Sequence, residues 1–491
     1  MSQRSLVLLL LLILAVMPLA GCGGSSVSPD PVTPQNPSSL SSSNVNLIFV
    51  ASEDLAYQAP GDINPSTANL TNQGLQRSLR MATFLQQKVL GMENVTGIYA
   101  LEPMTHLQTA NHYPDMVGLE TVQQFALLNQ ITLSSDAQGG TPNIGQSYPI
   151  NASYSSNSAP NEIPVPTPPY QNCQGLDFND SEGDNEGLVS GIVKANIPGF
   201  YVFSAPWETV SALMANLNQS EGYSLALPAS YLGPNFIYAI SIPPSGSPSM
   251  VSYNSNVSPA STYPVLSPTP AGALCNAQTP FSIGVTGGQN GAVIPAGSNT
   301  NETLYFIRHA DAHPWTYWND NNYVGAGQWR ALELPNALQG KISPNQVYSI
   351  DPAQFGPGSL SAVGDHTWSS VAPALTAEPY AIANNLPYNL VTSFLLTDPQ
   401  ADAQQISDFF FSGGKFSNQK VLVAWTFQFI QPAINALLTT YHVGQQAPAW
   451  PPTDYDTIWT VQLDDVGNLT VDNGTCEGIN SAALPPTPPQ F

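Results

Sequence analysis

The sequence has very few basic residues. Of its 491 residues only 10 are Lys or Arg, against 33 Asp or Glu, and the formal net charge at neutral pH is −23. Such a chain lacks the basic surface with which proteins bind nucleic acid or anionic lipid electrostatically, so we expect no nucleic-acid partner. Charged residues make up only 9% of the chain, so uncharged polar side chains and proline must cover much of its surface.

Cysteine is also scarce, with four residues in the whole chain. Cys173, Cys275 and Cys476 lie in the body of the sequence. An oxidising compartment would allow one disulfide among them and leave one free thiol, and the sequence leaves open which pair forms. Because no close Cys/His spacing occurs, no metal site is predicted, and no motif indicates a cofactor.

Long apolar runs are absent except near the start, "MSQRSLVLLLLLILAVMPLAGCGG". Arg4 followed by the apolar run 6–19 is typical of a secretory signal. "LAGC" resembles the bacterial lipobox, with cleavage before Cys22 and a lipid on that residue; the alternative is an ordinary signal peptide with an incidental Cys. We therefore predict a lipoprotein signal peptide at 1–21 and a flexible tether at 22–43. The chain would be exported and held by the lipid on Cys22 at the bacterial cell envelope, on its periplasmic or its cell-surface face.

The rest of the chain contains an internal repeat. "NVNLIFVASEDL" (44–55) matches "NETLYFIRHADA" (301–312), and each is followed by a Gly, an amphipathic helical stretch and a second apolar strand. Two stretches rich in Ser, Asn, Pro and Gly interrupt the pattern. The sequence predicts a first domain at 44–242 with an insertion at 135–187, a linker at 243–300, a second domain at 301–475 and a Pro-rich tail at 476–491.

The alternation of strands and helices within each copy predicts the α/β class. We expect two tandem three-layer αβα domains, each with a mostly parallel sheet. In such sheets ligands bind at the carboxyl ends of the strands. Arg308 and His309 directly follow the apolar run 304–307, which places them at such an end and makes them candidate site residues.

Several segments resemble the histidine phosphatase superfamily, also called phosphoglycerate-mutase-like. In the second copy they are "FIRHAD", "GQWRALELP", "QVYSIDP", "VAPALTAEPYAIANNL" and "VLVAWTFQFI"; in the first they are "NLTNQGLQRS" and "YALEPMTHLQTA". The resemblance implies that His309 attacks phosphorus and becomes a phosphohistidine, while Arg308 holds phosphate oxygens. It also implies a second Arg, a second His and an acid that protonates the leaving group. Asp311 is the candidate for that acid.

Both copies depart from the family pattern. In the second copy the position of the second Arg falls near Ala372, and that of the second His is occupied by Phe427. His366 is a further candidate for substrate binding, and Arg330 is expected to make a structural contact. In the first copy "FVASED" replaces the Arg-His pair with Ala51 and Ser52, and the second Arg position is Thr105 or His106.

These departures favour a surface-anchored lipoprotein that is non-catalytic or weakly active and has a binding or scaffold role in the envelope. The alternative is a phosphomonoesterase that acts through a phosphohistidine at His309, with a phosphomonoester as its partner. A third hypothesis is a carbohydrate- or peptide-binding surface formed by the aromatic residues of "HPWTYWNDNNY" (313–323). His106 is interpreted as an exposed loop residue rather than a remnant of a phosphate pocket.

Overall fold

Strands and helices alternate along the chain in the computed structural model, which describes residues 36–129, 147–163, 174–180, 183–267, 278–312, 321–354 and 369–491. The strands within these ranges are β1 (Val45–Ser52), β2 (Gly97–Ala100), β3 (Leu107–Gln108), β4 (Tyr113–Pro114), β5 (Gly199–Pro206), β6 (Phe236–Ile242), β7 (Ser249–Asn254), β8 (Ser282–Val285), β9 (Glu302–Arg308), β10 (Gln346–Ile350), β11 (Tyr388–Val391), β12 (Lys420–Trp425), β13 (Thr457–Leu463) and β14 (Leu469–Cys476). The helices are α1 (Asn72–Phe84), α2 (Val117–Leu128), α3 (Asp184–Ala195), α4 (Trp207–Ser220), α5 (Gly325–Ala337), α6 (Val371–Asn384), α7 (Ala403–Phe411) and α8 (Phe427–Thr440).

Two sheets organise the chain. The first has the strand order β2-β5-β1-β6-β7, and the second has the order β11-β10-β12-β9-β13-β14-β8. We call residues 37–267 the first half and residues 278–491 the second half. When the strands are matched in chain order, β10-β12-β9-β13-β14 repeats the order of the whole first sheet.

The predicted α/β class is confirmed, but the sheets are only half parallel. In the first sheet β2–β5 and β5–β1 pair parallel, whereas β1–β6 and β6–β7 pair antiparallel. In the second sheet β11, β10, β12 and β9 run parallel, and β13, β14 and β8 are added antiparallel. The expectation of mostly parallel sheets was wrong. β6 and β13 each follow a helix, α4 or α8, yet pair antiparallel with the central strand, and β7 and β14 then pair antiparallel with them.

Both sheets are covered by helices on both faces, as their apolar strands require. All eight residues of β1 are buried, and Ile48 and Phe49 point to different hydrophobic clusters. In the second half, Phe306 packs against α7. On the other face of each sheet, one hydrophobic cluster is common to both halves. It contains residues of α1 and α2 and residues of α5 and α6. Residues Pro37–Phe491 form one compact unit.

A glycine lets each of two helices approach the loop after the central strand. A Cβ added to Gly74 in α1 would lie 2.3 Å from the carbonyl oxygen of Asp62, and one added to Gly327 in α5 would lie 2.6 Å from that of Asp311. Three residues after each glycine stands an arginine, Arg77 or Arg330. In both halves its Nε lies 2.5 Å from Oδ2 of the same aspartate.

The guanidinium of Arg330 is completely buried and makes further contacts. Its Nη1 donates to Glu477 at 2.5 Å, and its Nη2 donates to Ser481 Oγ at 2.8 Å and to the carbonyl of Ile479 at 3.0 Å. Burial by itself would lower the pKa of Arg330, but Asp311 and Glu477 outweigh it and raise the pKa above its ordinary value. One side chain therefore joins α5 to the β9 loop and to the segment after β14.

Two segments predicted to lie outside the domains contain ordered structure. Residues 243–300, expected to be a linker, hold β7 and β8, which form one edge of each sheet. Two carbonyls of the Pro-rich tail accept hydrogen bonds from helices. Trp329 Nε1 donates to Thr487 at 2.8 Å, and Gln124 Nε2 donates to Pro489 at 2.7 Å. The tail thereby contacts helices of both halves. The domain boundaries themselves stay a prediction.

Some sequence-based predictions fall on residues that the structure does not describe. The signal peptide, most of the tether, His366 and residues 313–320 of the aromatic stretch lie outside the described ranges, as do Cys22, Cys173 and Cys275. Cys476 is disulfide-bonded, which agrees with the expected disulfide and leaves its partner open. Among the described helices none is both long and apolar enough to cross a membrane.

Replacing Arg330 should strongly destabilise the protein. In Arg330→Met the carboxylates of Asp311 and Glu477 lose a buried counter-ion, which typically costs about 3–5 kcal/mol. The free energy of unfolding in urea would measure the loss. Arg80→Met is the matched control because Arg80 is exposed and bonds only one carbonyl, so its change should stay within about 0.5 kcal/mol. Equal losses in the two variants would contradict this role of Arg330.

Candidate functional site

The Arg-His pair lies at the carboxyl end of a central parallel strand. β9 ends at Arg308, which is paired with Trp425 at the end of β12. The backbone N–H of His309 continues the ladder by donating to the carbonyl of Trp425 at 2.9 Å. The next residue, Ala310, donates its N–H to Thr376 Oγ1 of α6 at 2.7 Å. Strand pairing and α6 thus fix the backbone on both sides of the imidazole.

Arg308 is buried and its guanidinium lies between two aromatic rings. The guanidinium carbon is 4.1 Å from the ring centre of Phe427 and 3.8 Å from that of Tyr455. Nη1 donates to the carbonyl of Pro452 and, at 3.4 Å, to that of Asp454. Burial lowers the pKa of Arg308 to about 10. The rings and the two carbonyls hold the guanidinium in place, while its buried Nε has no hydrogen-bond partner.

His309 presents one ring nitrogen as a donor, and the described residues provide no partner for the other. Nδ1 lies 2.9 Å from the carbonyl oxygen of Ala310, so in the neutral ring Nδ1 carries the proton. Nε2 then bears the lone pair. Burial, followed by the charge of Arg308, lowers the pKa of His309 to about 3. The imidazole is therefore neutral near pH 7, which is the form a nucleophile needs.

The remaining candidates near the pair are committed to other groups. Asp311 is 6% exposed and holds Arg330 through Oδ2, so its carboxylate serves as a structural counter-ion. Arg330 makes the structural contact that the sequence led us to expect. Within the described part of the chain, Arg308 is the one cation whose charge acts on the imidazole of His309.

The positions of the missing family residues are apolar in the structure. Phe427 begins α8 and its ring faces the guanidinium of Arg308. Ala372 lies in the first turn of α6, is 5% exposed, and donates its N–H to the carbonyl of Asn321 at 3.0 Å. Neither position supplies a donor side chain that could meet a phosphate oxygen.

The corresponding strand end of the first half carries carboxyl groups. β1 ends at Ser52 and is followed by Asp54, whose charge acts on Glu208 at the start of α4. Burial raises the pKa of Asp54 and that of Glu208. In the described residues of both halves, no group of three or more His, Cys, Asp or Glu side chains is placed to hold a metal ion.

His106 is better fixed than the sequence suggested. Its Nδ1 lies 2.8 Å from Oδ2 of the buried Asp115, and its ring stacks on Phe178 with the centres 3.7 Å apart. The side chain is only 17% exposed, so the interpretation as an exposed loop histidine was wrong. Burial alone would lower the pKa of His106, but the hydrogen bond to Asp115 and the charges of the neighbouring carboxylates together raise it.

Sequence reasoning missed the partners of the two arginines. Tyr455, which stacks on Arg308, comes 147 residues after it in the chain and follows no motif. The Asp–Arg pairs did have a readable signal. The spacing Gly-x-x-Arg occurs at the start of both amphipathic stretches, at Gly74–Arg77 and at Gly327–Arg330.

No family model matches the chain, and no curated protein matches it. Solved structures with a detectable likeness include a phosphoserine phosphatase mutant from Entamoeba histolytica in complex with phosphoserine, at 13% identity and a TM-score of 0.21, covering 36% of this chain and 98% of that chain. Another is a "Putative Phosphohistidine Phosphatase SixA" from Nakamurella multipartitia, at 13% identity and a TM-score of 0.20, covering 40% of this chain and 96% of that chain. Both TM-scores are too low for the likeness to support an inference about this chain.

The pKa values of His309 and His106 should be shifted in opposite directions from that of an ordinary histidine. Because its pKa is lowered to about 3, His309 should stay neutral from pH 8 down to pH 4. His106, with a raised pKa, should protonate above the range of an ordinary histidine. Imidazole NMR resonances, assigned with His309→Gln and His106→Gln, would measure both. Protonation of His309 between pH 5 and 7 would contradict the partly buried, Arg-flanked environment.

Proposed function

We propose that the chain is an exported lipoprotein built from two tandem histidine-phosphatase-like copies, and that it binds or scaffolds rather than hydrolysing phosphomonoesters. The repeated strand order of the two sheets supports the tandem interpretation. The Gly-x-x-Arg spacing with its Asp partner, present in both halves, supports it independently. The lipobox-like sequence before Cys22 supports export and anchoring.

One observation carries the non-catalytic interpretation: the described cations near His309 are held by protein groups. Arg330 is neutralised by Asp311 and Glu477, and Arg308 is fixed between Phe427 and Tyr455. A phosphoryl group in transfer develops charge on its oxygens, which several donors must stabilise. The guanidinium of Arg308 already contacts protein groups, and the chain has a net charge of −23. Arg308 therefore provides little of the stabilisation that a transferred phosphoryl group needs.

The size of the deficit can be stated. Losing one preorganised donor to a developing oxyanion costs on the order of 100- to 1000-fold in rate. Ala372 and Phe427 stand where the resemblance implies an Arg and a His, so two donors are lost. The combined loss would leave little turnover.

A second candidate, slow phosphohistidine chemistry at His309, is favoured by two free groups. The Nε of Arg308 is buried without a hydrogen-bond partner, and the Nε2 of the neutral His309 has none among the described residues. These atoms could serve one phosphate oxygen and one phosphorus centre. The candidate requires that they act without a second cation.

A phosphomonoesterase assay separates the two candidates. We expect the purified full-length chain to hydrolyse p-nitrophenyl phosphate and phosphoserine no faster than His309→Ala does, between pH 4 and 8. The reason is the missing charge compensation. His442→Ala is the control because His442 is an exposed histidine in the second half. Turnover present in the wild type and in His442→Ala, but absent in His309→Ala, would contradict the non-catalytic function and support the alternative.

The anchoring proposal is tested by lipid labelling. Expressed in a bacterium fed radiolabelled palmitate, the chain should incorporate label and sediment with membranes, whereas Cys22→Ser should do neither. Gly23→Ser keeps the cysteine and should remain labelled. Equal labelling of Cys22→Ser and the wild type would contradict lipid attachment at this residue.

A further inference from the structure

Two glutamates face each other in the core that joins the halves. Glu120 lies in α2 of the first half and is 3% exposed, while Glu378 lies in α6 of the second half and is fully buried. α6 packs against both α1 and α2. The surrounding hydrophobic cluster contains residues of both halves, so water has little access to either carboxyl group.

The two carboxyl groups lie close enough for the charge of Glu120 to act on Glu378. Neither oxygen of Glu378, nor Oε2 of Glu120, accepts a hydrogen bond from an N–H or O–H group of the described protein. Two carboxylates in such contact cannot both be ionised, because the charges repel and neither is solvated. At least one proton must therefore reside on the pair while α2 and α6 are in contact.

The acidic and phenolic groups around the pair do not donate a hydrogen bond that could take the place of this proton. Asp115 adds a further negative charge to the field at Glu378. The hydroxyls of three neighbouring tyrosines donate elsewhere: Tyr263 to the carbonyl of Leu332 at 2.9 Å, Tyr323 to Gln328 Oε1 at 2.7 Å and Tyr388 to the carbonyl of Ala374 at 2.7 Å. Glu333 of α5, which is also buried, is a further acidic group.

The cations on the packed elements are committed elsewhere. In α1, Arg77 is paired with Asp62, and Arg80 bonds the carbonyl of Ser258 at the surface. Lys88, on the turn that extends α1, is exposed, as is Lys420 at the start of β12. In α5, Arg330 is held by Asp311 and Glu477. None of these charges is a partner of the pair.

A second contact between the halves also contains buried carboxyl groups with raised pKa values. Tyr154, of the first half, donates its hydroxyl to Oδ2 of the buried Asp351, which follows β10. Glu102, which follows β2, is buried and accepts a hydrogen bond from the hydroxyl of Ser158 at 2.5 Å. Burial, with a smaller contribution from the charge of Asp351, raises the pKa of Glu102. Burial raises the pKa of Asp351 to about 7.

We propose that the contact between the two halves is proton-dependent: a proton shared by Glu120 and Glu378 stabilises α2 against α6 and is lost as the pH rises. The interface then acts as a pH-sensitive element of the fold. It is tight in acid and loosens towards alkaline pH. This inference is independent of whether His309 is catalytic.

The pH range follows from the direction of the shifts. Burial raises the pKa of Glu120 from 4.5 to about 8, and burial together with the charge of Glu120 raises that of Glu378. A carboxyl with a raised pKa in the closed contact stabilises it fully below about 4.5, and this stabilisation is lost as the pH rises through about 8. For each proton released on opening, the opening equilibrium constant grows up to about tenfold per pH unit.

Hydrogen exchange of the full chain tests the proposal. After correction for the intrinsic pH dependence, the protection of α2 and α6 should fall between pH 5 and pH 8.5 by up to about tenfold per unit. α8, which packs in the other cluster of the second half, serves as an internal reference and should change less. In Glu378→Gln the amide has a similar size but carries neither a charge nor a titrating proton, so the fall in protection should flatten.

Glu302→Gln is the matched control. Glu302 is a buried carboxyl in β9 whose two oxygens also lack hydrogen-bond partners, but it lies outside the α2–α6 contact. This variant should keep the wild-type pH dependence of α2 and α6. If Glu378→Gln does not fold, Glu120→Gln provides the same comparison. A flat wild-type profile, an equal loss of protection in α8, or a wild-type slope in the glutamine variant would each overturn the proposal.

Discussion

The buried guanidinium of Arg330 is the interaction on which the second half depends. It lies inside the protein without access to water, so its charge and its N–H donors need protein partners. Asp311, Glu477, Ser481 and a carbonyl supply them. Through these bonds α5, the loop that follows the Arg-His pair and the segment after β14 are held in one arrangement. Arg77 with Asp62 forms a smaller version of the same contact in the first half.

The scarcity of cations links this constraint to the candidate site. Ten Lys and Arg residues serve 33 acidic ones, and the buried arginines described above are used for structure. Little positive charge is left at the strand ends to bind a phosphoryl group. The same scarcity explains the buried carboxyls. Where no cation is available, as at Glu120 and Glu378, a carboxyl can be buried only by keeping its proton. The proposed lack of phosphatase activity and the proposed proton-dependent interface thus have one physical cause.

Much of the fold could be predicted from the sequence, because its central strands are continuous apolar runs and its helices begin with a glycine and an amphipathic pattern. Residues 45–50 and 304–307 illustrate the first signal, and Gly74 and Gly327 the second. β7 and β8 were not predicted, since they lie in segments rich in Ser, Asn and Pro. β7 lies at a sheet edge with one fully buried residue, so its alternation is weak, and β8 alternates but is only four residues long.

The candidate site was predictable in position but not in environment. That Arg308 and His309 lie at the end of β9 follows from the strand that precedes them. That Tyr455 and Phe427 enclose the guanidinium depends on contacts between segments far apart in the chain. The same holds for the bond between Arg330 and Glu477, which are 147 residues apart. Local patterns specify strands and helices, whereas such contacts depend on how the whole chain packs.

A titration of the full-length chain with inorganic phosphate, followed through the imidazole NMR resonance of His309, tests the central claim most directly. We expect this resonance not to move at millimolar phosphate between pH 5 and 8, because the described residues place no set of free donors around the ring. A saturable shift of the His309 resonance that is lost in Arg308→Met would contradict the account, since it would show that Arg308 and His309 together form a phosphate pocket.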